Sequence, residues 1–300
     1  MIADSIDHLV RDRHAVDSEL VALCDRTLGA LPGRVADAIR YSLLGEGKRL
    51  RPLLMLATYR AAGGVQVGRA VAVASAVEVV HAYSLVHDDL PCMDDDDVRR
   101  GRPTTHRAFG VQIAAAAGLA MVPLAARAAA DGARALGLLG SERGAIVREL
   151  MRASGGGGMV GGQLLDLAGE GLELTLSELE QIHRAKTGAL IEAAVRIGGL
   201  AARATPDARR ALDRYGAALG LAFQIADDVL DATATTGQLG KTAGRDAVLR
   251  KNTYPGLLGV EGAVARAALL ADEACDALRP SGLVTPALEQ LARFSVARRS

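Results

Sequence analysis

Two knots of carboxylate, His87-Asp88-Asp89-Leu90-Pro91-Cys92-Met93-Asp94 and Gln224-Ile225-Ala226-Asp227-Asp228-Val229-Leu230-Asp231, each close a run that is otherwise apolar and helical in period. A helix buried to its last turn cannot leave such charge unpaired, because an isolated ionised carboxylate in an apolar interior is very costly. The two ends therefore need a partner, and divalent cations held between them supply one. That requirement sets both helices around one internal cavity.

The rest of the chain agrees with a helical frame. Half of the residues are apolar, mostly Ala, Leu and Val, while five Tyr, three Phe and no Trp leave little material for a sheet. The fold predicted is all-α: one domain over residues 1–300, a bundle of roughly ten or more helices around a central cavity. Helical periods run over about 4–28, 34–45, 50–62, 67–90, 104–138, 141–167, 175–202, 206–232, 260–279 and 285–298. Breakers separate most of them: Leu31-Pro32-Gly33, Gly63-Gly64, Gly101-Arg102-Pro103, Gly140-Ser141, Gly169 to Gly171 and Thr205-Pro206. Gly155 to Gly158 with Gly161-Gly162 is read as a place of close helix approach, the alternative being a frayed helix.

Lys plus Arg equals Asp plus Glu at 35 each, so no global field points to nucleic acid or a membrane surface. Cys24, Cys92 and Cys275 fit neither a disulfide framework nor a zinc site, and a cytoplasmic location is expected. The start lacks a signal-peptide pattern, and no stretch reads as a membrane span once Gly interruptions and charges are weighed.

In the second knot Gln224, Asp227, Asp228 and Asp231 recur three or four apart and form one stripe. Leu219, Leu221, Phe223, Ile225, Val229 and Leu230 occupy the other faces, so the stripe faces an internal cavity. In the first, His81, Ser84, Leu85 and Asp88 share a face, Asp89 lies alongside, Pro91 ends the helix and Asp94 can fold back toward Asp88. Carboxylates that share an ion with phosphate oxygens suit magnesium, whereas zinc would want Cys or paired His. Cations stand at Gly-rich helix junctions: Lys48-Arg49 with Arg51, Arg99-Arg100, Lys186, Lys241 and Lys251. Such junctions combine backbone N–H groups with charge and make anion sites. Singly, each is as readily a surface cluster, and His81 alone a satisfied core histidine.

No Gly-x-Ser-x-Gly elbow, P-loop or dinucleotide fingerprint is present. Acidic arrays, anion sites and apolar walls without a nucleophile point to ionisation of a diphosphate ester, the carbocation being shielded from water.

The segments GEGKRLRP (45–52), VEVVHAYSLVHDDLPCMDDDDVRRGRPTTH (77–106), GGQLLDLAGEG (161–171), IHRAKTGALIEAAVRIG, YGAALGLAFQIADDVLD and GKTAGRDAVLRKNTYPGLLG resemble the bacterial short-chain trans-prenyl diphosphate synthases, the farnesyl diphosphate synthases most of all. The likeness runs from about Ser42 to Arg298 and implies an isoprenoid-synthase type of bundle acting as a prenyltransferase. It implies that Asp88, Asp89, Asp94, Asp227, Asp228 and Asp231 hold three Mg2+ ions on an allylic diphosphate. Lys48, Arg51, His81 and Arg100 would bind isopentenyl diphosphate, and Arg99, Lys186, Lys241 and Lys251 the allylic diphosphate. Thr187 and Gln224 would face the developing cation, and the departing pyrophosphate would take the proton. A homodimer is implied as well.

Tyr83 stands five residues before Asp88, roughly 7.5 Å lower along a helix, with Ser84 beside it. In look-alike enzymes a Tyr there goes with a fifteen-carbon product, so farnesyl diphosphate is expected over geranylgeranyl or geranyl diphosphate. The structural alternative is that Tyr83 merely packs between helices. One stretch departs from the family: Gly118-Leu119-Ala120-Met121 stands where Gly-Asp-Ala-Leu is usual, and Pro123 should kink its helix. A class I terpene cyclase is disfavoured by the second Asp-Asp-x-x-Asp and the scarcity of aromatics. A non-catalytic partner subunit is disfavoured by retention of both acidic arrays.

Overall fold

The computed structural model describes residues 2–233 and 251–297, and Lys241 lies outside them. Most of the described residues are helical: α1 (Ile2–Thr27), α2 (Gly33–Leu43), α3 (Leu50–Ala61), α4 (Val67–Asp88), α5 (Thr105–Phe109), α6 (Val111–Ala135), α7 (Gly140–Ser154), α8 (Met159–Ala168), α9 (Leu176–His183), α10 (Ala189–Ala201), α11 (Pro206–Thr233), α12 (Tyr254–Leu278) and α13 (Pro286–Val296). Between α9 and α10 the helix is wound as a π-turn, Arg184–Gly188.

α4 is apolar almost all round, which is why it sits at the centre, with Val73, Val77, Val79, Val80 and Val86 buried. It packs along α6 and α3, α10 lies against α3, α7 and α11, and α11 runs beside α12. Small residues set these distances. A Cβ on Gly132 of α6 would stand 2.7 Å from the Val73 backbone nitrogen, so the two helices meet backbone to backbone. The core holds a charged pair, Arg49–Glu78, 2.9 Å apart with both side chains buried; Arg49 also donates to Asp17 at 2.8 Å and to the Gly45 carbonyl at 2.8 Å. Arg49 therefore ties α1 and α4 to the head of α3.

Several boundaries differ from the sequence reading. The helix expected over 104–138 breaks at Gly110, whose φ of 91° suits glycine and ends α5. The helix expected over 141–167 is two helices, because Gly155 to Gly158 forms a turn. The period read from 260 begins at Tyr254, capped by the Thr253 hydroxyl and bent at Gly259. Pro123 lies inside α6 with helix on both sides. α4 and α6 reach the length and mean hydropathy of a membrane span by composition alone; 78% of the α4 window is buried among other helices, and 44% of that of α6.

Between Val98–Arg99 and Arg102–Pro103 runs the one strand pair among the described residues, antiparallel, with Val98 opposite Pro103. Its two-residue turn is Arg100-Gly101, both at positive φ (55° and 71°).

Candidate active site

A cavity of about 310 Å³ opens between α4, α8, α10 and α11. Its wall carries Asp88 and Asp94 from the first knot and Gln224, Asp227 and Asp228 from the second, so the two acidic ends share one space. Around them stand Arg51, His81, Ser84, Arg99, Arg100, Lys186, Thr187 and Lys251.

Two glycine contacts place the polar groups. A Cβ on Gly162 of α8 would lie 2.1 Å from the backbone nitrogen of Lys186, and one turn further along α8 Asp166 accepts a 2.6 Å hydrogen bond from Lys186 Nζ. A Cβ on Gly220 of α11 would lie 2.8 Å from Gly188 Cα, and one turn further Gln224 Oε1 accepts from the Thr187 hydroxyl at 2.5 Å. The π-turn is thus gripped from two sides, and its Lys186 and Thr187 side chains line the cavity. The close approach read from the glycine-rich stretch is found at Gly162, while the glycines before it form the turn.

The first knot folds as expected. Pro91 follows the end of α4, and the Asp94 N–H donates to the Asp88 carbonyl at 2.9 Å, bringing Asp94 back under the helix. Asp89 points elsewhere: it faces a smaller pocket with Arg99, Arg100 and Arg102, and takes a 2.6 Å bond from Arg99 Nε. In the second knot Asp228 is held on both oxygens. His183 lies 2.9 Å and the Tyr254 N–H 3.0 Å from Oδ2, and Gln224 Nε2 donates to Oδ1 at 2.9 Å. Asp231 is buried off the cavity wall.

Of the cations, Lys48 is the exception: it is exposed and stands 5.6 Å over the Phe294 ring, away from the cavity wall. Tyr83 is buried beside the wall, its ring edge-on to His87 at 5.5 Å, while its neighbour Ser84 lines the cavity. Leu119, where the family usually carries Asp, is 67% exposed on α6 and touches none of this.

Lys251, expected from the sequence, and Asp166, Asn252 and His183, to which the sequence assigned no role, complete the site. Lys251 donates to Asp94 Oδ1 and to Asp166 Oδ2, each at 3.0 Å. Asn252 fixes that segment to the end of α8: its amide donates to the Leu172 carbonyl at 2.9 Å and accepts from Leu174 N–H at 3.2 Å. Asp166 carried no signal beyond being one acid in a helix, and His183 was one histidine in an amphipathic run; only their positions in the fold reveal them.

The electrostatics divide the wall in two. Burial pushes Asp88 above the ordinary carboxylate range, and pushes Asp89 up to about 6 against the pull of Arg99. Asp94 and Asp166 are also buried, yet Lys186 and Lys251 beside them outweigh that and hold both below the usual range. Burial, then Arg51 and Arg100, keep His81 neutral well below 6.5. Among the described residues no three acids or histidines form a closed metal cage. Open, all-oxygen donors beside lysines suit a hard cation that shares its shell with phosphate oxygens.

The sequence pattern of the family described as Polyprenyl synthetase matches residues 32–277. The farnesyl diphosphate synthase of Escherichia coli is 47% identical over 88% of this chain and 89% of its own. Geranylgeranyl pyrophosphate synthase 12 of Arabidopsis thaliana is 46% identical over 77% of this chain, which spans 64% of that protein. Among solved structures, a geranyltransferase from Helicobacter pylori complexed with magnesium and isoprenyl diphosphate superposes with a TM-score of 0.83 at 28% identity, covering 97% of this chain and 96% of that one.

Proposed function

Because the chain belongs to the polyprenyl synthetase family and is a prenyltransferase, we propose that it joins isopentenyl diphosphate head to tail to dimethylallyl or geranyl diphosphate, giving mainly farnesyl diphosphate and pyrophosphate. The observation that carries this reading is the convergence of both acidic ends and five cations, Arg51, Arg99, Arg100, Lys186 and Lys251, on one cavity.

Asp88, Asp94 and Asp227 are the residues that would hold magnesium, with three ions as in the family resemblance, and the complexed Helicobacter pylori structure supports the choice of metal. Bound there, magnesium supplies charge neutralisation to the leaving diphosphate. Asp228 supports the site differently, as an acceptor that fixes His183, Gln224 and the Tyr254 backbone. Lys186 and Lys251 grip the allylic diphosphate, as Lys241 and Arg99 do in the resemblance. Arg51, Arg100 and neutral His81 hold isopentenyl diphosphate, and Lys48 serves only where its flexible side chain swings inward from Phe294. Thr187 Oγ and Gln224 Oε1 turn their lone pairs toward the developing cation, while Leu190 and Met159 exclude water from it. No carboxylate is needed as a base, since the departing pyrophosphate can take the proton.

Tyr83, braced by His87 below Asp88, supports a fifteen-carbon limit; the similarity to a plant geranylgeranyl pyrophosphate synthase keeps a longer product as the second reading. The apolar, outward side of α6, with Val111, Leu119 and Pro123, supports a homodimer, and the reduced cysteines a cytoplasmic setting.

The test is incubation with magnesium, isopentenyl diphosphate and geranyl diphosphate, followed by sizing of the product. A fifteen-carbon diphosphate is expected. Pyrophosphate release without isopentenyl diphosphate, or silence with every substrate pair, would remove the reading.

A further inference from the structure

Asp166 belongs to neither acidic knot, yet both lysines that face the allylic diphosphate in the reading above converge on it. Lys186 Nζ lies 2.6 Å and Lys251 Nζ 3.0 Å from the same oxygen, Asp166 Oδ2. The two ammonium groups come from distant parts of the chain, one from the π-turn and the other from the segment before α12. Like charges brought this close repel in a partly desolvated cavity. A carboxylate shared between them is what keeps them side by side. Its own place is fixed from below: Gly162, one turn earlier on α8, allows α8 to touch the backbone at Lys186, and Asn252 pins the residue next to Lys251 to the carbonyl of Leu172 just past α8.

We infer that Asp166 is a positioning residue, which holds Lys186 and Lys251 as a two-pronged clamp for the diphosphate of the allylic substrate. Asp94 also accepts from Lys251, at 3.0 Å, and in the reading above it is one of the residues that would hold the metal; Glu170 stands 3.8 Å from the same ammonium group. Asp166 lies 20 residues from Lys186 and 85 from Lys251 in sequence and accepts a hydrogen bond from both. The clamp acts on one substrate only, since Arg51, His81 and Arg100, assigned above to isopentenyl diphosphate, come from α3, α4 and the strand turn, whereas the clamp is built from α8, the π-turn and the segment before α12.

This inference rests on the allylic reading of the cavity, and its test separates the two. Inorganic pyrophosphate is titrated calorimetrically into the full chain without metal, comparing wild type, Asp166→Asn and Asp166→Glu. Loss of about one charge-assisted hydrogen bond's worth of organisation should weaken pyrophosphate roughly tenfold in Asp166→Asn. Asp166→Glu should recover most of it. In turnover, Asp166→Asn should raise KM for geranyl diphosphate by about the same factor and leave that for isopentenyl diphosphate within about twofold. Unchanged or tighter pyrophosphate binding, or equal rises in both KM values, would overturn the inference. Where Asp166→Asn does not fold, the Asp166→Asn, Lys251→Met double variant removes the stranded charge as well. It should bind pyrophosphate as Lys251→Met alone does, whereas additive losses would show that Asp166 does not act through the pair. A wild-type chain that binds pyrophosphate but makes no product would sink the proposed reaction and leave the clamp standing.

Discussion

At the scale of single residues, the cavity sorts its ionisable groups by what surrounds them. His81 is held neutral by burial and by Arg51 and Arg100, so its folded pKa lies below the 6.5 it takes in the unfolded chain. Stability is then fully present above pH 6.5 and is lost as pH falls through that value toward the lower folded one. Melting temperature should decline on acidification below 6.5, and His81→Gln should flatten that limb of the curve in a calorimetric pH series. Arg51 and Lys48, equivalent in the sequence, separate here. Arg51→Ala should raise KM for isopentenyl diphosphate by roughly tenfold to a hundredfold, and Lys48→Ala by distinctly less. Steady-state kinetics would decide it. The sequence could show which acids share a helix face, because three- and four-residue spacing is geometry. It could not show that Asp228 spends both oxygens on His183, Gln224 and Tyr254, since those partners meet it only through tertiary packing.

At the scale of elements, glycine does two separate jobs, and the sequence displayed only their sum. Gly110 and the run Gly155 to Gly158 end helices that the apolar period would have continued, whereas Gly132, Gly162 and Gly220 sit inside helices and let backbones touch. Period alone does not separate the two, because both look like an interruption of an apolar run. Gly162→Ala makes the difference measurable. Its methyl would stand 2.1 Å from a backbone nitrogen, so α8 must retreat from the π-turn. The expected cost is about 1–3 kcal/mol of stability by chemical denaturation, together with a loss of turnover well beyond that of Gly156→Ala, where a Cβ meets nothing within 4 Å. The proposed chain-length limit is tested on α4: Tyr83→Ala, which leaves His87 without its edge-on ring, should shift the product toward twenty carbons in a chromatographic assay.

At the scale of the whole molecule, the all-α frame was legible because apolar period and scarce aromatics leave little alternative, and the shared cavity because two buried acidic ends demand it. The exposed side of α6 was not, since burial of a helix face depends on what lies opposite. On the proposed homodimer, Leu119→Arg, placed on that side, should shift the chain toward a single copy in sedimentation at micromolar concentration while leaving the helical circular dichroism intact. The π-turn at Arg184–Gly188 has a further bearing on the molecule. Such a turn carries one residue more than an α-helix of equal length. Excising a single residue there would let the backbone wind as α-helix without interruption from Leu176 to Ala201, its two flanks keeping nearly their present phase. The protein would remain a helix bundle, but the bulge that aims Lys186 and Thr187 at their partners would be gone, like a key with its bit filed away.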